Sequence, residues 1–359
     1  MGEGVSVRSF AQPGGFTAGI CKVRIVCRAT PIIVSLEPLS TKSGPPRTDN
    51  AVHGTTLYGG SHEPAYCGAL SFMRRRYSRH LDGVDVAVWG IPFDAAVSDR
   101  PGARFGPQGI RKASATFCGD PNYPFAFDIF ETLAVVDYGD CAFDYARHQE
   151  IPGHIRRQAG TILDAGCHLF SMGGDHYVTW PLLQAHAERH GPLAIVQFDA
   201  HQDTWDDDGD RIDHGTMIAR AVKEGIIDPA GSIQIGIRSH APDDFGIEIV
   251  YGDEIETLGV KGIIDAIVTR VGDRRAYMTF DIDCLDPAFA PGTGTPVAGG
   301  LSSREALSVL RGLGAVEFVG GDVVEVAPAY DHADVTSLAA ASIAQTYLGL
   351  LAERRRNGS

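Results

Sequence analysis

The chain has 359 residues, 44% of them apolar, and a formal net charge of −14. That length allows one large α/β domain or two average ones, and the apolar share is that of an ordinary globular protein. The negative charge argues against nucleic acid or an anionic membrane as partner and suits a cationic small molecule, and no apolar run approaches the ~20 residues of a membrane span. Seven cysteines, at 21, 27, 67, 118, 141, 167 and 284, form no Cys-x-x-Cys pair. An odd, scattered set points to a reducing compartment, the cytoplasm, rather than to a disulfide framework or a zinc ribbon.

Residues 1–64 differ from the rest, with frequent Pro, Gly, Ser and Thr and few charges. Met1 to Ser35 sets Arg8, Lys22, Arg24 and Arg28 against one acid, Glu3. Such a bias is found in mitochondrial targeting segments. Pro31 interrupts the apolar stretch Ile20–Leu39, and no amphipathic repeat is visible. A floppy extension or a misassigned start fits as well. The main folded domain is expected over 65–359.

Val84 to Gly90 is the first convincing strand, ending in the loop signal Ile91-Pro-Phe-Asp94. Arg100 to Gly106 is a loop, and Pro107 to Ser114 a helix with Pro in its first turn. Strands then alternate with helices. Strands are expected at 133–136, 169–172, 193–198, 232–237, 276–281 and 317–326. Helices are expected at 155–165, 179–189, 217–223, 263–271, 303–313 and 335–354. This alternation predicts a parallel sheet covered on both faces.

Three of the strands share an ending. Leu193-Ala-Ile-Val-Gln-Phe198 runs into Asp199, His201 and Asp203, which alternate and so face one side in extended chain. Cys167 to Met172 runs into Gly173-Gly-Asp-His176, and Ala276 to Phe280 into Asp281-Ile-Asp283. Crevices in open α/β sheets lie beyond the carboxyl ends of the strands. Three ends in one sheet would pool four carboxylates and two imidazoles, a negative charge that calls for a cation. Any one of these endings alone reads as a turn or helix cap. Oxygen and imidazole donors without thiolates favour Mn²⁺, Mg²⁺ or Zn²⁺.

These same stretches carry a resemblance. Gly173-Gly-Asp-His176, Phe198-Asp-Ala-His-Gln-Asp203 and Thr279-Phe-Asp-Ile-Asp-Cys-Leu-Asp-Pro287 resemble the three signatures of the ureohydrolase (arginase/agmatinase) family. Arg100-Pro-Gly-Ala-Arg-Phe-Gly-Pro107, Pro291-Gly-Thr-Gly-Thr-Pro296 and Asp322-Val-Val-Glu-Val-Ala-Pro-Ala-Tyr-Asp331 are similar to its bacterial agmatinase members in particular. The similarity runs from about Tyr66 to Leu351 and leaves out the N-terminal extension. It implies a three-layer α/β/α sandwich with a mostly parallel sheet of about eight strands, and a trimeric or hexameric homo-oligomer. It also implies two Mn²⁺ ions. One would be held by His176, Asp199, Asp203 and Asp281, the other by Asp199, His201, Asp281 and Asp283, with Asp199 and Asp281 bridging.

Guanidinium carbon is a poor electrophile, and a metal can lower the pKa of water from 15.7 to roughly 7. The implied reaction is attack of a metal-bridging hydroxide on agmatine, giving putrescine and urea. His214, in Asp213-His-Gly-Thr216, is the expected proton shuttle, since an imidazole near ~6.5 suits transfer at neutral pH. Its place fifteen residues after Asp199 matches the family's catalytic histidine. Glu325 ends a Val-rich strand, where a charge needs a partner. That partner is either the substrate guanidinium, held bidentately, or an internal Arg104 or Arg238. Asp175 either accepts from a ligand imidazole or caps the next helix. Cys284 is expected to pack, and Gln202, where the family commonly has Thr, to point away from the metals.

Five acids follow Asp203 within ten residues, as far as Asp213. They form either a solvated loop or an acidic mouth that favours an ammonium tail over a carboxylate. The second option ranks agmatine ahead of 4-guanidinobutanoate and other guanidino acids, whose hydrolases share every metal motif. A catalytically silent binding protein on the same fold is the reading from another class. The complete ligand set, His214 and Glu325 argue against it.

Overall fold

The structure, a computed structural model, describes residues 23–25, 32–34, 50–54, 56–59, 63–117, 123–206 and 211–358. The chain divides after Arg47 into two compact units. In the first, the described residues form one antiparallel pair, β1 (Val23–Ile25) and β2 (Ile32–Val34), with Val23 opposite Val34. The rest of Met1 to Ser35, weighed as a targeting segment, lies outside the described residues. The second unit takes in residues ahead of 65. Gly59 donates its N–H to the Phe130 carbonyl at 2.9 Å, and Glu63 pairs with buried Arg74 at 2.7 Å.

The second unit is built on one nine-stranded sheet. Its strands are β3 (Arg76–Tyr77), β4 (Val86–Ile91), β5 (Val135–Asp140), β6 (His168–Gly173), β7 (Ala194–Phe198), β8 (Ile233–Ile237), β9 (Glu248–Tyr251), β10 (Arg275–Asp281) and β11 (Glu317–Val324). Their order is β3-β5-β4-β6-β11-β10-β7-β8-β9, and every pairing is parallel. The strands beyond those expected are β3 and β9, one at each edge. β3 has two residues, and β9 exposes Glu248, so neither shows the apolar run of an inner strand.

The helices are α1 (Asn50–His53), α2 (Gly106–Ser114), α3 (Ile129–Thr132), α4 (Ile151–Asp164), α5 (Thr179–His190), α6 (Met217–Lys223), α7 (Ile255–Val271), α8 (Ser303–Arg311) and α9 (Val335–Arg356). Side chains of β4 alternate between two cores. Val86 and Val88 join Ile110, Ile263, Val309 and Tyr347 from α2, α7, α8 and α9. Ala87, Trp89 and Ile91 join Ile155, Leu182 and Met217 from α4, α5 and α6. Period-two alternation into two apolar layers is what makes the three-layer sandwich.

Local chemistry sets the helix ends. Ser302 and Glu305 form a reciprocal capping box at the start of α8. α7 begins eight residues before the expected Ile263, because Gly259, at φ +61°, kinks the helix without ending it. α9 is by length and composition apolar enough to cross a membrane, contrary to the expectation that no run came near that length, yet 78% of its apolar window is buried inside the protein. It is a core helix.

Candidate active site

The four central strands β6, β11, β10 and β7 are neighbours in the sheet and end at one edge. β6 leads to His176, β7 to Asp199, His201 and Asp203, β10 to Asp281 and Asp283, and β11 to Glu325. At the end of β6 only glycine fits. A Cβ on Gly174 would stand 1.6 Å from the Phe93 carbonyl oxygen. Asp175 then accepts N–H bonds from Tyr177 at 3.1 Å and Ala96 at 2.8 Å. It is a cap rather than an acceptor for an imidazole. Asp203 and Glu325 adopt left-handed backbone at φ +53° and +62°, a strained conformation for non-glycine residues that gathers at functional sites.

On the floor of the crevice, His176 is 1% exposed. Its Nε2 lies 2.8 Å from the Thr279 hydroxyl, which itself donates to Asp322 Oδ1 at 2.7 Å. Asp322 Oδ2 accepts from Thr179 at 2.9 Å and from Tyr277 at 2.8 Å. With its own proton committed to Asp322, the Thr279 oxygen can only accept from Nε2–H. Neutral His176 therefore carries a lone pair on Nδ1. That atom makes no hydrogen bond, although Asp199, Asp203 and Asp281 each bring Oδ2 to within 3.0, 2.9 and 3.2 Å of it. A buried lone pair ringed by carboxylates needs positive charge. Burial alone would lower the imidazole, but the three carboxylates close around it hold it well above its ordinary range. A proton or a cation must sit there.

A second group adjoins the first. His201 Nδ1 lies 3.0 Å from Asp283 Oδ2 and 3.5 Å from Asp199 Oδ1. Against burial, the Asp283 charge and the carboxylate bonds push His201 up to about 12. Two sets of ligand atoms come within 4.8 Å of one another: His176, Asp199 and Asp281, and Asp199, His201 and Asp283. Asp199 belongs to both and turns one oxygen to each. Asp281 stands with the first set through Oδ2, while its Oδ1 accepts the Asp283 N–H at 2.8 Å. Burial and the charge of Asp199 push Asp203 up to about 6. The donor set fits divalent ions that prefer oxygen and imidazole.

Neither expected arginine partners Glu325. Arg104 pairs with Asp94, and Arg238 donates to the carbonyls of Asp283 at 2.6 Å and Val297 at 2.9 Å, bracing the β10 loop. Glu325 is fully buried. Its Oε1 accepts from the His176 N–H and faces His214 Nδ1, each at 2.8 Å, and its Oε2 has no partner. Burial works to lower His214, but the Glu325 bond and charge outweigh it and push the ring up to about 9. Cys284 is buried with its thiol on the Ile235 carbonyl, and Gln202 turns away to accept the Ala241 N–H at 2.7 Å.

A cavity of about 370 Å³ is lined by His176, His201, Asp203 and Asp281 and by Ser98, Trp205 and His214, the last bonded to Glu325. Asp206 and Asp213 line its mouth, and Arg211 donates to Asp213 at 2.7 Å. Asp207, Asp208 and Asp210 of the acidic run lie outside the described residues. Asp322, Thr279 and Ser98 are functional neighbours of the site that were not among the residues expected from the sequence. Asp322 left a signal, a carboxylate inside an apolar strand. Ser98 left none.

The arginase family model matches residues 84–349. The chain belongs to the arginase family. Relatives of this arginase-family chain include an agmatinase of Chromobacterium violaceum, 52% identical over 313 residues, covering 87% of this chain and 97% of that one. Another is an agmatinase of Neisseria meningitidis serogroup C, 47% identical, covering 78% and 90%. The crystal structure of a hypothetical agmatinase from Burkholderia thailandensis is 51% identical with a TM-score of 0.85, covering 87% and 98%. Proclavaminate amidino hydrolase from Streptomyces clavuligerus is 41% identical with a TM-score of 0.76, covering 81% and 100%.

Proposed function

We propose that this arginase-family chain hydrolyses agmatine to putrescine and urea, as an agmatinase-like ureohydrolase with its activity in residues 65–359. One observation carries the reading. The buried Glu325 binds the His176 N–H through Oε1 and leaves Oε2 without a partner, while His176 Nδ1, also without a partner, faces three carboxylates. The first suits a guanidinium and the second a divalent cation. Agmatinases at 43–52% identity support the same substrate class.

His176, Asp199, Asp203 and Asp281 would hold one ion, and His201 and Asp283 the other, with Asp199 and Asp281 shared. Two Mn²⁺ ions suit this donor set. When bound, they supply the Lewis acidity that lowers the pKa of water toward ~7. Glu325 Oε2 accepts from a guanidinium N–H and turns the guanidinium carbon toward the floor. The attacking water oxygen forms a bond to that carbon, and the bond to the alkyl nitrogen breaks. His214, polarised by Glu325, takes up the proton that the water oxygen gives up and delivers it to the departing amine. Trp205 and the carboxylates of Asp206 and Asp213 flank the mouth, where they favour an ammonium tail.

The likeness to proclavaminate amidino hydrolase and the Arg211 guanidinium at the mouth support a second reading, hydrolysis of 4-guanidinobutanoate or another guanidino acid. We place the enzyme in the bacterial-type cytoplasm as a trimer or hexamer. The test is urea release by Mn²⁺-loaded protein from agmatine, arginine, 4-guanidinobutanoate and 3-guanidinopropanoate at equal concentration. Preference for agmatine is expected. Preference for a guanidino acid would overturn the tail argument, and no urea from any of them would return the silent reading.

A further inference from the structure

The proton-carrying histidine is held on both sides, and its second holder comes from a loop that carries no metal ligand. His214 Nε2 lies 2.9 Å from the Ser98 hydroxyl and receives the Ser98 backbone N–H at 3.2 Å. A backbone N–H can only donate, so in this arrangement Nε2 is an acceptor and the ring proton sits on Nδ1, bonded to Glu325. A hydroxyl can donate or accept. When Nε2 takes up a proton, the Ser98 oxygen can accept it without the ring moving.

The Ser98 loop is anchored at both ends by buried carboxylates. Asp94, 3% exposed, accepts the Gly102 N–H at 2.9 Å, the Arg104 Nε–H at 2.6 Å and the Tyr145 hydroxyl at 2.7 Å. Asp175, fully buried, holds the Ala96 N–H at 2.8 Å, and the Ala96 carbonyl takes the His214 N–H at 3.4 Å. These bonds fix Ser98 relative to the imidazole, although Ser98 itself lines the cavity from its exposed rim.

We propose that Ser98 is a positioning residue for the proton-transfer step, keeping His214 in the Nδ1–H tautomer when neutral and its Nε2 aimed into the cavity when charged. This rests on the hydrolytic reading above. The test is a double-mutant cycle on Mn²⁺-loaded enzyme with agmatine. Ser98→Ala should lower kcat about 10- to 100-fold, the scale of a misplaced catalytic group, with KM, metal content and Tm held. In a His214→Ala background the same change should have almost no effect on kcat, because the group it positions is gone. Ser98→Thr, which keeps the hydroxyl, should recover most of the activity. An unchanged kcat in Ser98→Ala, an equal loss in both backgrounds, or a loss confined to KM would overturn the proposal. If wild type itself releases no urea, the hydrolytic reading fails and takes this one with it. An active wild type with an indifferent Ser98 removes this one alone.

Discussion

Two histidines some forty residues apart in sequence have opposite surroundings. His176 is sealed in the floor with one nitrogen committed to a hydroxyl–carboxylate chain and the other facing carboxylates with no donor among them. His214, at the rim, has both nitrogens partnered, one by Glu325 and one by Ser98. A nitrogen with a fixed lone pair among anions is built to bind a cation. A ring with a carboxylate on one side and an amphoteric hydroxyl on the other is built to gain and lose a proton. Residue type does not separate the two roles; the partner of the far nitrogen does. Glu325 touches both regions through one oxygen, by way of the His176 N–H and the His214 ring.

The contrast breaks most completely in the floor. Asp281→Ala should lose bound Mn²⁺ and urea release together, checked by metal analysis alongside the assay. His214→Ala should do the reverse, keeping its metal while kcat falls by about 10²–10⁴, the range of general acid–base catalysis. Asp322→Asn lies one hydroxyl away from His176, and should weaken Mn²⁺ binding about 10–100-fold as judged by titration. The smallest effect sharpens the rim. In metal-free protein the His214 ring should titrate near about 9 by NMR, its imidazolium present below that pH and lost as pH rises through it. Glu325→Gln removes the charge that outweighs burial, so the ring should then titrate lower. No downward shift would mean that Glu325 does not set the state of His214.

Much of this was legible in the chain. Apolar runs that stop at Asp or His announced both the parallel sheet and the residues at its edge, because a buried strand cannot keep a charge in mid-run without a partner. The close approach of Gly174 to the Phe93 carbonyl was not legible. Contacts set by strand order were out of reach. β11 lies between β6 and β10, and that placement brings Glu325 to His176 and Asp322 to Thr279. Local sequence says nothing of a neighbour 43 or 149 residues away. The exclusion of Arg104 and Arg238 as partners of Glu325 was hidden for the same reason. Ser98 sits in an exposed loop, where its residue type is ordinary and only its distance from His214 distinguishes it.

The division between a metal floor and a proton-carrying rim is tested most directly by an anomalous-scattering map of crystals grown with Mn²⁺. Two peaks about 3.5–4 Å apart are predicted, as in two-metal hydrolytic sites. One should be bonded to His176 Nδ1 and Asp203, the other to His201 and Asp283, with Asp199 touching both and no density at His214. A peak bonded to His214, or none beside His176 Nδ1, would contradict the account.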